Sequence, residues 1–151
     1  LRSIFYLRFP TALILVLMLI VTLLPALPAV KGEATVHDLE VSLTAEKIVF
    51  RNDGKGHLSH GNSTMLNATV TNKGDFNESN VALQIIINGS TVQNSTTSRL
   101  EINGTFLSLY FWAPDDADYN VTVYAPPVDG EDNTTNNNVT RWVRVCQDNL
   151  R

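Results

Sequence analysis

From Val36 onward the side chains alternate between apolar and polar with a period of two. No stretch of useful length shows the 3.6-residue spacing of a surface helix. Val81, Leu83, Ile85 and Ile87 alternate with Ala82, Gln84, Ile86 and Asn88. Leu66, Ala68 and Val70 alternate with Asn67, Thr69 and Thr71, and Tyr119, Val121, Val123 and Ala125 with Asn120, Thr122 and Tyr124. Each set predicts a strand with one face toward a core and the other toward water. Nine segments read this way, at about 36–43, 46–50, 64–71, 81–88, 90–94, 98–102, 105–112, 119–125 and 138–146. One or two are too short to count, so seven or eight strands are expected. Asn88-Gly89 predicts a two-residue hairpin, because both positions favour positive φ. Phe106 to Trp112 is apolar on both faces, and the pattern does not assign its inward side. Tyr119, opening a strand, reads as a tyrosine corner or as an ordinary buried tyrosine. Short strands separated by frequent turn signals predict an all-β fold, a β-sandwich.

Ahead of this body, Pro10 to Val30 carries no charge, and Ala12 to Leu24 contains one polar side chain, Thr22. That core suits a secretory signal better than a membrane span, which needs about 20 apolar residues. Pro25 and Pro28 interrupt a helix there, and the small residues Ala29, Gly32 and Ala34 suit cleavage. Read from Phe9 to Val30, the segment is long enough to remain as an anchor. The expected organisation is an apolar signal or anchor helix over 1–34, one β-domain over 35–146 and a tail over 147–151. Either reading makes the domain extracellular, secreted or tethered, with membrane contact only through residues 9–30 if they are retained.

A chain of 151 residues, 44% hydrophobic and 17% charged, supports one folded domain. Residues 33–151 hold 8 basic against 15 acidic side chains, a balance of −7. That argues against nucleic acid, whose binding draws on a basic surplus. The single cysteine, Cys146, excludes an internal disulfide and a Cys-based zinc site. It reads as a half-buried small hydrophobe or as a link between two copies.

Asn-x-Ser/Thr with no proline in the middle occurs at Asn62, Asn67, Asn77, Asn88, Asn94, Asn103, Asn120, Asn133 and Asn138. These nine compare with about 2.4 expected from chance placement of 15 asparagines and 24 serines and threonines in 151 residues. Asn67 and Asn120 fall on predicted outward faces, Asn88 and Asn103 precede glycine at turns, and the rest lie in or beside loops. N-glycosylation of several of them is expected in an archaeal or eukaryotic host; without that machinery they are turn and edge residues.

Two acidic loops flank the strand at 119–125 and therefore lie at opposite ends. Asp129, Glu131 and Asp132, joined by Asp75 and Glu78, form a calcium candidate, because calcium takes six to eight oxygen ligands. Solvated turn acids are the alternative. His57 and His60 are expected at the end that holds Asp115, Asp116 and Asp118, as polar surface or as a weak zinc candidate. No Gly-rich phosphate loop and no G-x-S-x-G elbow is present, so no catalytic residue is assigned and no enzyme is expected. Trp112, before Ala113-Pro114, reads as core, whereas Trp142 shares a face with Arg144 and reads as exposed.

The run His37-Asp38-Leu39-Glu40-Val41, then Ile48-Val49-Phe50 and Gly61, then Leu66 to Gly74 and Val81 to Gly89 follow a recognisable order. Tyr110 to Pro114, Tyr119 to Val123 and Glu131 to Asn138 complete it. Together they resemble the CARDB family, the cell-adhesion-related domain of bacterial and archaeal surface proteins. The resemblance implies a seven-stranded immunoglobulin-like sandwich, often one module of a larger extracellular protein, and no catalytic residues. Lys55 to His60 departs from the proline-containing turn common in that family. The resulting expectation is a non-catalytic structural or adhesive surface module without cofactor, whose partners are other surface proteins or cell-envelope glycans. A carbohydrate- or calcium-binding module is the alternative. Another is a filament subunit that donates Val36 to Leu43 to a neighbour.

Overall fold

The computed structural model describes residues 36–147, and every regular element in them is a strand. In chain order these are β1 (Leu39–Ala45), β2 (Lys55–Ser59), β3 (Thr64–Asn72), β4 (Glu78–Ile87), β5 (Ser90–Leu100), β6 (Thr105–Trp112), β7 (Asp118–Tyr124) and β8 (Asn138–Cys146). They form a three-stranded sheet, β1-β3-β6, and a five-stranded sheet, β2-β8-β7-β4-β5. The apolar segment read as a signal or anchor, and the tail beyond Gln147, lie outside the described residues. Among the described residues no helix is long and apolar enough to cross a membrane.

One core joins the two sheets. Leu39, Val41, Leu43, Leu66, Ala68 and Val70 face it from the smaller sheet, and Val81, Leu83, Ile85, Val121, Val123, Val143 and Val145 from the larger. The period of two in β3, β4 and β7 is thus the period of burial, as the sequence predicted. The β4–β5 hairpin turns at Asn88 and Gly89 with φ of 49° and 83°, the positive pair expected there. β1 pairs antiparallel with β3 of the same chain from Leu39↔Asn72 to Ala45↔Leu66. Most of the segment considered for donation to a neighbour is therefore paired internally.

Three expectations change. The segments at 90–94 and 98–102 are one strand, β5, polar on both faces and paired along β4 at the margin of the larger sheet. Residues 46–50 are not a strand: after Glu46 and Lys47 donate to the Met65 carbonyl and Thr64 Oγ1, the chain crosses between sheets and leaves its ladder partner. Their alternation survives as burial, with Ile48 in the core, Phe50 packed against it, and Lys47 and Val49 exposed. In their place Lys55–Ser59 forms β2, parallel to β8 from Lys55↔Trp142 to Ser59↔Cys146. Eight strands result, one more than the family resemblance implies, because a strand with a single buried apolar residue, Leu58, carries almost no periodic signal.

Gly56 makes this arrangement possible. A Cβ there would clash with Ile48 Cγ2 and lie 3.0 Å from Phe50 Cδ1. Gly56→Ala is expected to cost about 1–3 kcal/mol through overpacking and to push the 47–51 segment outward. Chemical denaturation of the variant reads the loss.

Candidate functional site

The outer surface of β2, β8 and β7 brings Lys55, His57, Asp118, Trp142 and Arg144 together along one groove. Parallel pairing sets Lys55 beside Trp142 and His57 beside Arg144, and antiparallel pairing sets Asp118 on the other side of Arg144. Lys47, Val49 and Arg51 approach from the crossing segment because Ile48 and Phe50 are drawn under Gly56. An open groove of about 750 Å³ runs between these two walls. Trp142 stands in it 53% exposed, as its place opposite Val143 and Val145 predicted, and Val49 is 88% exposed.

Arg144 is held in place by Asp118, through Nε to Oδ1 at 2.8 Å and Nη2 to Oδ2 at 3.0 Å. These charge-assisted bonds hold the Asp118 carboxyl below its ordinary 3.8 and raise Arg144 above its own value. Because the folded value is the lower one, the pair's contribution is present at neutral pH and above 3.8. It is lost as pH falls through the depressed folded value. The pair is solvent-exposed, so acid titration followed by carboxyl NMR shifts is expected to show late protonation of Asp118 with little change in melting. In the groove wall, His57 Nε2 lies 3.3 Å from Cys146 Sγ, placing the half-buried thiol against an imidazole.

At the sheet end where β6 meets β7, His60 Nδ1 lies 2.7 Å from Asp116 Oδ1. His60 therefore joins the first acidic loop as the topology predicted, while His57 sits on β2 instead. Tyr119 Oη donates to the Asp115 carbonyl at 3.1 Å, the upstream backbone bond of a tyrosine corner, and packs edge-on against the buried Trp112.

The opposite end gathers the residues considered for calcium, each differently engaged. Glu78 is buried with its Oε1 2.8 Å from His37 Nδ1, and the His37 ring stacks on Phe76. Glu131 faces inward: Oε1 accepts from Leu39 N at 2.7 Å, and Oε2 from Val128 N at 3.0 Å and Asn137 Nδ2 at 2.9 Å. Both oxygens of this carboxylate are thus engaged by N–H donors, two of them backbone. Asp75, Asp129 and Asp132 stay exposed at this end. Among the described residues no group of three or more His, Cys, Asp or Glu side chains is arranged to hold a metal ion. Asn72, which sequence reasoning passed over, is fully buried nearby. Its Oδ1 accepts from Gly74 N, and its Nδ2 donates to the Phe76 and Leu100 carbonyls.

Of the asparagines in Asn-x-Ser/Thr, Asn62, Asn77, Asn88, Asn94, Asn103, Asn133 and Asn138 are exposed, and Asn67 and Asn120 half-buried. Asn77, Asn88 and Asn133 accept backbone N–H bonds through Oδ1, from Ile102, Asn120 and Thr135 respectively, which keeps Nδ2 out of those bonds. Among the described residues the two fully buried asparagines, Asn72 and Asn137, lie outside the motif.

Comparison with known proteins agrees with this architecture. The CARDB domain of a Pyrococcus furiosus protein, crystallised in complex with di-metal ions, superposes with a TM-score of 0.62 at 19% identity, covering 77% of this chain and 99% of that one. A domain of a protein described as a cell surface protein of Methanosarcina acetivorans gives a TM-score of 0.52 at 26% identity, covering 73% and 92%. No curated protein matches. The CARDB family model matches residues 37–141, and the chain belongs to that family, a module of archaeal and bacterial surface proteins.

Proposed function

We propose that this CARDB domain works outside the cytoplasm as a non-catalytic, N-glycosylated module with a structural or adhesive role on a cell surface. The observation that carries the reading is the sorting of asparagines. Among the described residues, seven of the nine in acceptor motifs are exposed and two, Asn67 and Asn120, half-buried, whereas the two fully buried asparagines are outside the motif. A glycan is bulky and hydrated, so an acceptor must sit in this way.

Asn67 adds a physical use for the sugar. It lies directly across from Leu109, with Thr69 opposite Leu107 and Met65 opposite Phe111. Leu107, Leu109 and Phe111 form an exposed apolar row on β6, a margin strand without charge or proline. Such an edge invites pairing with another chain unless it is covered. A glycan on Asn67 stands over that row. The likeness to the M. acetivorans domain supports the surface location. Protease shaving of intact host cells tests both parts. The expected result is release of peptides from 36–147 with sugar on the motif asparagines, most completely on the seven exposed ones. Recovery of unmodified peptides only after cell lysis would overturn the reading.

A further inference from the structure

The described domain is acidic, with seven lysines and arginines against thirteen aspartates and glutamates over residues 36–147. Yet Lys47, Arg51, Lys55 and Arg144 line one groove between the crossing segment and β2–β8, against one lining acid, Asp118, and the exposed Asp53 carboxylate 3.9 Å from Lys55 Nζ. In a chain that repels anions elsewhere, this segregation marks a place built to receive one. The groove also offers an exposed indole: Trp142 stands on the open sheet surface beside Lys55 and next along the strand face from Arg144. Bases alone recognise any polyanion. Bases around a flat, apolar, solvent-facing ring recognise a molecule that carries both negative charge and a flat C–H face, which is the chemistry of an acidic pyranose.

We propose that the groove binds uronic-acid-containing polysaccharide. Trp142 stacks on one sugar ring, and Lys47, Arg51, Lys55 and Arg144 engage the carboxylates of that ring and its neighbours. Arg144 is pre-oriented for this by its two bonds to Asp118, so little side-chain freedom is lost on binding. Gly56 acts indirectly, as the position that lets Ile48 and Phe50 sink and turns Lys47 and Arg51 toward the groove. The inference rests on the adhesive half of the function proposed above and supplies its ligand class.

Titration calorimetry of the native, full-length chain with polygalacturonate oligomers is the test, with methyl-esterified oligomers and polyglutamate as comparison ligands. Polygalacturonate is expected to bind at low salt and to lose about tenfold in affinity by 0.3 M salt. The esterified form, which removes charge without touching the protein, is expected not to bind. Lys47→Glu with Lys55→Glu should lower affinity about tenfold, with melting unchanged because both side chains are exposed. Trp142→Ala should lower it about fivefold for polygalacturonate and leave any polyglutamate binding unaltered. Three outcomes each overturn the inference: no binding at low salt, equal binding of the esterified ligand, or polyglutamate binding as tightly with no dependence on Trp142. The last would make the groove an acidic-peptide site. Attachment of host cells, with and without this chain, to an envelope-coated surface separates the two levels. Attachment that needs the chain but survives the groove substitutions retains the adhesive role and removes the polysaccharide. No dependence on the chain removes the adhesive role itself.

Discussion

Glu131→Ala is expected to destabilise the domain by about 3 kcal/mol, a fall in melting temperature of about 10–15 °C. Glu131 Oε1 accepts from Leu39 N at 2.7 Å, and Leu39 is fully buried. Removing the carboxylate leaves that donor, Val128 N and Asn137 Nδ2 without their acceptor in a poorly solvated seam. Each orphaned buried donor costs about 1–3 kcal/mol, partly relieved by entering water. Glu131→Gln keeps the shape but replaces one acceptor oxygen with a donor facing donors, so it should recover only part of the loss. The same experiment discriminates against a calcium role. If Glu131 holds backbone, the wild-type melting temperature is the same in calcium and in chelator. A chelator-dependent melting point abolished by Glu131→Gln would restore the cation.

Asn72→Ala is the second large effect, about 2–3 kcal/mol in chemical denaturation. Asn72 ends β3 and connects it to two neighbouring turns, through Gly74 N and the Phe76 carbonyl on one side and the Leu100 carbonyl on the other. Its own backbone pairs with Gly104 O and Asn103 N. Losing the amide therefore loosens the β3–β4 and β5–β6 turns together. Asn72→Asp separates bonding from volume. It keeps an acceptor for Gly74 N but turns an oxygen toward two carbonyls, and should be at least as damaging as alanine. Equal stability of the aspartate variant and the wild type would contradict this account.

These two residues mark where the sequence stopped being informative. Strands β3, β4 and β7 were legible because a sheet buried on one face writes its period directly into the residues. Asn72 and Glu131 have no such signature: a buried staple and a solvated turn residue look alike until the fold brings their partners together. β6 was ambiguous because Leu107, Leu109 and Phe111 are as apolar as the inward Phe106, Tyr110 and Trp112. The decision falls to Ser108, buried on the core side against Ser95 Oγ. The groove was half legible. Trp142 beside Arg144 and the alternation of Lys47, Val49 and Arg51 with Ile48 and Phe50 were both present in the residues. Their meeting depends on β2 pairing in parallel with β8, nearly the whole domain away in sequence, and no local pattern encodes that.

The acceptor motifs were legible entirely, since their chemistry is local, and the fold adds which asparagines reach solvent. The measurement that tests the central claim most directly is the intact mass of the chain isolated from its host's surface fraction. The account predicts a polypeptide carrying several discrete glycan masses, reduced to the bare chain by removal of N-linked sugar. A surface chain at the unmodified polypeptide mass would contradict it.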